Sequence, residues 1–126
     1  MSDQNQYLRA STSQNLASAA LSYSFAPLQN CQILEVNIHF SASISETVTL
    51  TWVSRDGTNY STVVQVSSLS SQTDFAFRPT GHLILMDGDS LKVECTHAGN
   101  TGVAYMTIIA EPYGHQKAGS VTSPGV

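Results

Sequence analysis

His39, His82, His97 and His115 are the imidazoles of this chain, and imidazole serves proteins both as a metal ligand and as a general base near neutral pH. No two of them share the HxH or HExxH spacing that brings a pair of ring nitrogens onto one metal ion. Each reads as an isolated polar residue on a strand or loop. Asp87-Gly88-Asp89, with Asp74 or Glu94 nearby, offers carboxylates for Ca²⁺ but follows no Ca²⁺-loop pattern. A turn whose carboxylates accept from backbone N–H groups accounts for it better. No serine lies in a G-x-S-x-G elbow, and no Ser/His/Asp set is suggested by spacing. Glu35, Glu46, Glu94 and Glu111 are the glutamates available for paired-carboxylate chemistry, and all four are expected to face outward. There is no glycine-rich phosphate loop. The expectation is a protein without catalytic residues, metal or cofactor.

Aromatic side chains could instead form a platform for sugar rings. Trp52 is the lone tryptophan, and it alternates in phase with Val48 and Leu50, which places it toward the core. Tyr60 and Tyr105 are the remaining candidates for such a platform. Asn59-Tyr60-Ser61 matches a glycosylation sequon, a short pattern that arises often by chance. Cys31 and Cys95 read as reduced, buried thiols, with an inter-sheet disulfide left open because both fall on expected strands.

These residues sit on a chain whose periodicity is that of strands. Cys31 to Ala42 alternates with period two, placing Leu34, Val36, Ile38 and Phe40 on one side and Glu35, Asn37 and His39 on the other. Glu46 to Val66 reads as a hairpin turning at Arg55-Asp56-Gly57-Thr58-Asn59, where Asp-Gly supplies the positive φ that tight turns demand. Leu16 to Phe25 fits a helix or a strand, and the aromatic end favours the strand. Ser67 to Thr73 reads as a loop and Asp74 to Phe77 as a short strand stopped by Pro79. His82 to Met86, Ser90 to Thr96 and Val103 to Ala110 are three further strands, separated by the Asp-Gly-Asp turn and by Gly99-Asn100-Thr101-Gly102. Seven to eight short strands, with no convincing helix, predict an all-β antiparallel β-sandwich or small jelly roll over 16–111. Residues 1–15 and 112–126 are polar and lack apolar periodicity, so they read as flexible N- and C-terminal arms.

Composition narrows the partners. Charged residues are 11%, against roughly 25% in ordinary soluble domains. Eighteen serines and twelve threonines take their place, giving a surface of hydroxyls that is cheap to desolvate against a neighbour. The net charge is −4 and the cations stand singly, so nothing offers phosphates a basic footprint, and direct nucleic-acid binding is not expected. No apolar run reaches the ~20 residues that span a bilayer, and the N-terminus lacks the apolar core of a signal peptide. Contact with other proteins is the expected work. Tyr7, Leu8 and Arg9 in the first arm and Tyr113 and His115 in the second are the residues expected to make it.

The segment Phe77–Glu111, with its proline-glycine approach, LILMDGDSLKV turn and strand, and AGNTGVAYMTIIAE close, resembles the closing part of small phage virion β-sandwich proteins. These include capsid decoration (cement) proteins and related head or tail accessory domains. The resemblance implies a virion subunit made in the host cytoplasm, joining a lattice of major capsid protein as a homo-oligomer, with a trimer favoured. A tail, fibre or connector subunit and a carbohydrate-binding sandwich are the alternatives. The family pattern is structural, so no functional residue carries over.

Overall fold

The computed structural model describes residues 7–98 and 102–114. Nine strands run in chain order: β1 Leu8–Asn15, β2 Leu21–Phe25, β3 Cys31–Ile44, β4 Thr47–Val53, β5 Thr62–Ser68, β6 Gln72–Phe77, β7 Ile84–Leu85, β8 Ser90–Cys95 and β9 Val103–Pro112. They form two antiparallel sheets. One has the order β1-β9-β3-β6 with the short β7 also on β3, and the other has β2-β8-β4-β5. With β7 set aside, β1 pairs with β9, β2 with β8, β3 with β6 and β4 with β5. The chain is thus one long nested hairpin, rolled up so that β9 also meets β3 and β8 also meets β4. Of the two architectures expected, this is the jelly roll.

The inner faces follow from the register. Leu21, Cys95 and Val48 form one row across the second sheet, and Phe25, Leu91 and Trp52 form another two pairs along. Facing them, Ile38 lies opposite Met106, and Val36 opposite Ile108. All of these are buried except Trp52, which is half-buried and packs against the core.

Several expectations change in detail. The sandwich begins at Leu8, not at residue 16, and β9 runs on through Pro112. Residues 8–15 form an edge strand along the whole of β9, with Leu8 opposite Ala110 and Asn15 opposite Val103. Leu8 and Ala10 pack on the core while Arg9, Ser11 and Ser13 face out, so the strand needs little apolar bulk. Leu16 to Ala20 does not continue into a strand. The Asn15 carbonyl accepts from Ser18 N–H, its side-chain Oδ1 accepts from Ala17 N–H, and the resulting turn drops Leu16 into the core before β2 starts.

In β3 the alternation shifts. Ile33 pairs with Ala110 and Glu35 with Ile109, so Leu34 is the extra residue of a β-bulge. Cys31 and Ile33 point inward before it and Val36, Ile38 and Phe40 after it, leaving Leu34 half-buried. β7 keeps only Ile84 and Leu85 of the expected His82–Met86 strand, while β5 and β6 extend into the expected Ser67–Thr73 loop.

The expected hairpin is present as β4 and β5. Its connection carries Gly57 at φ +120, followed by a single 3-10 turn over Thr58–Tyr60. Both cysteines are free and buried. Cys95 pairs with Leu21 at the start of β2, whereas Cys31 opens β3 just after β2 ends at Phe25. The two thiols thus stand in different sheets, Cys31 beside Leu85 and Pro112 and Cys95 beside Leu21 and Val48.

Candidate interaction surfaces

The polar residues singled out from the sequence are dispersed over strands and the connections between them. On the outer face of the β1-β9-β3-β6 sheet, Ser13, Tyr105, His39 and Asp74 form one cross-strand row. His39 Nδ1 lies 2.8 Å from Asp74 Oδ1, and Asp74 Oδ2 accepts from the Thr73 hydroxyl at 2.9 Å. These bonds, the one from His39 first, hold the Asp74 carboxyl below its ordinary value. The next row is Ser11, Thr107, Asn37 and Ala76, with a 3.3 Å hydroxyl contact between Ser11 and Thr107. Beyond it, Glu35 accepts from Asn37 Nδ2 and from Arg78 Nε, the latter at 3.1 Å. The Asn37 bond and the Arg78 guanidinium lower the Glu35 carboxyl in turn. Asp74 and Glu35 are thus each tied to a partner on this face, with the half-exposed ring of Tyr105 between Ser13 and His39.

His82 lies elsewhere, 3.3 Å from Gln32 Oε1, and borders a cleft of about 310 Å³ lined by Val64, Gln65, Phe77, Pro79, Thr80 and Leu83. His97 is exposed and His115 falls outside the described residues. Among the described residues no three His, Cys, Asp or Glu side chains converge on a point where a metal ion would sit.

Asp87-Gly88-Asp89 is a backbone clamp. Asp89 is buried; its Oδ1 accepts from Arg55 N–H at 2.9 Å and its Oδ2 from Met86 N–H at 3.0 Å. Arg55 Nη1 in return donates to the Asp87 carbonyl at 2.9 Å, so the β4–β5 connection is fastened to the β7–β8 turn. Gly88 stands at φ +100, and a Cβ there would lie 3.1 Å from the Arg55 side chain. The positive φ favours glycine here, and a Cβ would also crowd the Arg55 side chain.

Glu46 corrects the expectation of four outward glutamates. It is 5% exposed, in the short link from β3 to β4. Its Oε1 accepts from the Thr96 hydroxyl, and Thr96 Oγ1 accepts in turn from Thr47 N–H at 3.0 Å. Oε2 is buried without a hydrogen-bond partner. No sequence signal marks this burial, because two residues between strands normally point a glutamate to water.

The residues expected to reach a partner are divided. Tyr7 is exposed and Arg9 faces out opposite Ile109, but Leu8 is committed to the chain's own core. Tyr113 is exposed while its N–H donates to the Asn30 carbonyl at 3.1 Å.

An apolar exposure not read from the sequence lies on β5, where Val63 and Val66 are 53% and 58% exposed. β5 pairs with β4 alone and forms the edge of its sheet. A bulge sets Leu50 opposite Gln65 but Thr51 opposite Val63, which turns both valines to the outer face. A strict two-residue alternation would have separated them.

No family model and no curated protein matches the chain. Solved structures similar to it include the SPBc2 prophage-derived protein YomS, at 15% identity over 82% of this chain and 96% of that one, with a TM-score of 0.42. PirA is similar at 12% identity over 88% of this chain and 96% of its own, with a TM-score of 0.40. A structure of infectious bursal disease virus, Gx strain, is similar at 12% identity over 84% of this chain and 32% of that one, with a TM-score of 0.39. All three are distant likenesses.

Proposed function

We propose that this chain is a non-enzymatic structural subunit of a virion, and specifically a decoration (cement) protein that binds and stabilises a lattice of major capsid protein. The observation that carries this reading is a jelly roll whose broad outer faces are hydroxyl-rich and carry few charges, of which Glu35, Asp74, Lys92 and Glu94 are paired. Jelly rolls also serve sugar-binding and metal-binding domains, so the fold alone is analogy, and the surface is what supports the reading. Ser11, Ser13, Thr107, Thr49 and Thr51 line the faces of the two sheets. Burying such groups under another protein sacrifices little charge hydration, and many copies on one lattice multiply a weak contact into a firm one. With residues 8–15 built into β1, the segments left to reach neighbours are 1–6 and 115–126, outside the described residues.

The test is co-sedimentation of the purified chain with empty shells of the major capsid protein of the same virus. Saturable pelleting, weakened in a chain ending at Gly114, is expected. Pelleting with tails but not with shells would replace decoration by the tail, fibre or connector role, and pelleting with neither would end the virion reading.

Tyr105 favours a second reading, a carbohydrate-binding module. Its ring lies between Ser13 and His39 on a face with Asn37 and Asp74 close by, the mixture of ring and hydrogen-bonding groups that sugars require. Glycan-array binding lost in Tyr105→Ala would support that alternative.

A further inference from the structure

We propose that the free edge of β5 pairs with β5 of a second copy of this chain, joining two β2-β8-β4-β5 sheets into one continuous antiparallel sheet about a two-fold axis. An edge strand presents a row of unpaired N–H and C=O groups, and folded proteins usually blunt it with charge, proline, brevity or distortion. The other three edges are blunted. β1 carries Arg9 facing out, β2 is five residues long, and β6 carries Asp74 and pairs irregularly between His39 and Ile44 of β3. β5 is TVVQVSS, seven residues with no charge and no proline; its bulge at Val64 is a distortion of its own, but Gln65 to Ser68 beyond it form a regular run.

Charge selects a copy of the same strand as the occupant. The molecule carries −4, so copies repel one another over most of their surface. Across β5 and its neighbour β4 (TVTLTWV) there is no charged side chain. The nearest on that face are Lys92 and Glu94 on β8, paired to each other at 3.5 Å. Register selects the same occupant. With Val66 set opposite Val66 of the second copy, Gln65 meets Ser67 and Val64 meets Ser68. Val66 is then covered on the outer face, and the Gln65–Ser67 amide–hydroxyl pair, 2.9 Å within one chain, can form across the axis as well. Such a contact closes on itself at two copies. It needs nothing from the virion reading, and the trimer expected from family resemblance would require other surfaces.

The test uses the purified full-length chain alone, so it stands or falls separately from any capsid experiment. One strand pair buries well under the ~1,600 Å² of a standard interface, so association is expected to be weak, with a monomer–dimer transition within roughly 5–500 μM in sedimentation velocity. The double variant V63K/V66K should remain monomeric across that range with an unchanged circular dichroism spectrum, whereas S22K/S24K, on the β2 edge of the same sheet, should dimerise as wild type does. Backbone amides of Thr62–Ser68 should exchange more slowly at the high concentration than at the low one, a readout on wild type that holds even if V63K/V66K misfolds. A wild-type monomer throughout, a trimer, or β5 exchange indifferent to concentration would overturn the proposal. So would loss of association in S22K/S24K, or species growing beyond the dimer, since both signify β5 pairing head-to-tail with β2.

Discussion

Thr96 is exposed as a residue, yet its hydroxyl stands between the buried carboxylate of Glu46 and the N–H of Thr47. Replacing it with valine keeps the shape and removes both bonds, leaving a buried carboxylate with neither oxygen satisfied. Thr96→Val should therefore cost about 1–3 kcal/mol in urea unfolding, the usual penalty for stranding a buried polar group. An unchanged midpoint would mean that water already serves Glu46. The thiols make a second prediction. Burial pushes Cys31 up to about 11, and burial with the nearby Glu46 charge does the same to Cys95. Raised folded values mean that the neutral thiols favour the native state fully below the unfolded value of 9.0, and that this contribution is lost as pH rises from 9.0 toward 11. Melting temperature should fall across that window, and the double variant C31A/C95A should fall less steeply. Native protein at pH 8 should meanwhile resist iodoacetamide, because little thiolate is present to react.

At the scale of elements, what could be read in advance was what period and turn chemistry encode. β8 alternates Leu91, Val93 and Cys95 inward as expected, and the Asp-Gly connection joins β4 to β5. Misreadings fall where the cause is tertiary. β1 (LRASTSQN) has one sizeable apolar side chain, because an edge strand needs to present only Leu8 and Ala10 to the core, and that pattern is indistinguishable from a polar arm. Bulges at Leu34 and Val64 each move a side chain off the face that alternation assigns, and nothing local announces them. The surface residues were legible as types but not as neighbours: His39, Asp74 and Tyr105 lie far apart in sequence and join only through the β9-β3-β6 register. The status of β1 is testable. Removing residues 1–15 uncovers the long side of β9 and the flank of Ile108 and Met106, so the melting temperature should drop by several degrees or more, with increased aggregation. Melting and solubility equal to the intact chain would return 8–15 to the role of an arm.

The whole molecule is held by nested pairings, so every pair outside the β4–β5 hairpin depends on distant chain segments finding one another. The β3–β6 pair closes one flank of its sheet, and its outer face is bridged by His39 to Asp74 and, next to the strand end, by Glu35 to Arg78. Both carboxyls are lowered in the folded state, Asp74 by the His39 bond first and Glu35 by the Asn37 bond first. A lowered folded value means stabilisation that is present above the unfolded carboxylate range near 4 and lost as pH falls through the folded values. Because Asp74 lies in solvent and Glu35, itself half-buried, pairs with an exposed Arg78, salt screens both bridges and each effect is small. The informative measurement is therefore a difference. Asp74→Asn should melt slightly below wild type at pH 6, and the gap should narrow as pH falls below the ordinary carboxylate range near 4, where the stabilisation held by the lowered Asp74 carboxyl begins to be lost. High salt at pH 6 should narrow the same gap without changing the fold. A gap that stays constant from pH 6 to pH 3 would show that Asn disturbs packing at the β3–β6 edge, and that the His39–Asp74 bridge contributes nothing to closing this flank.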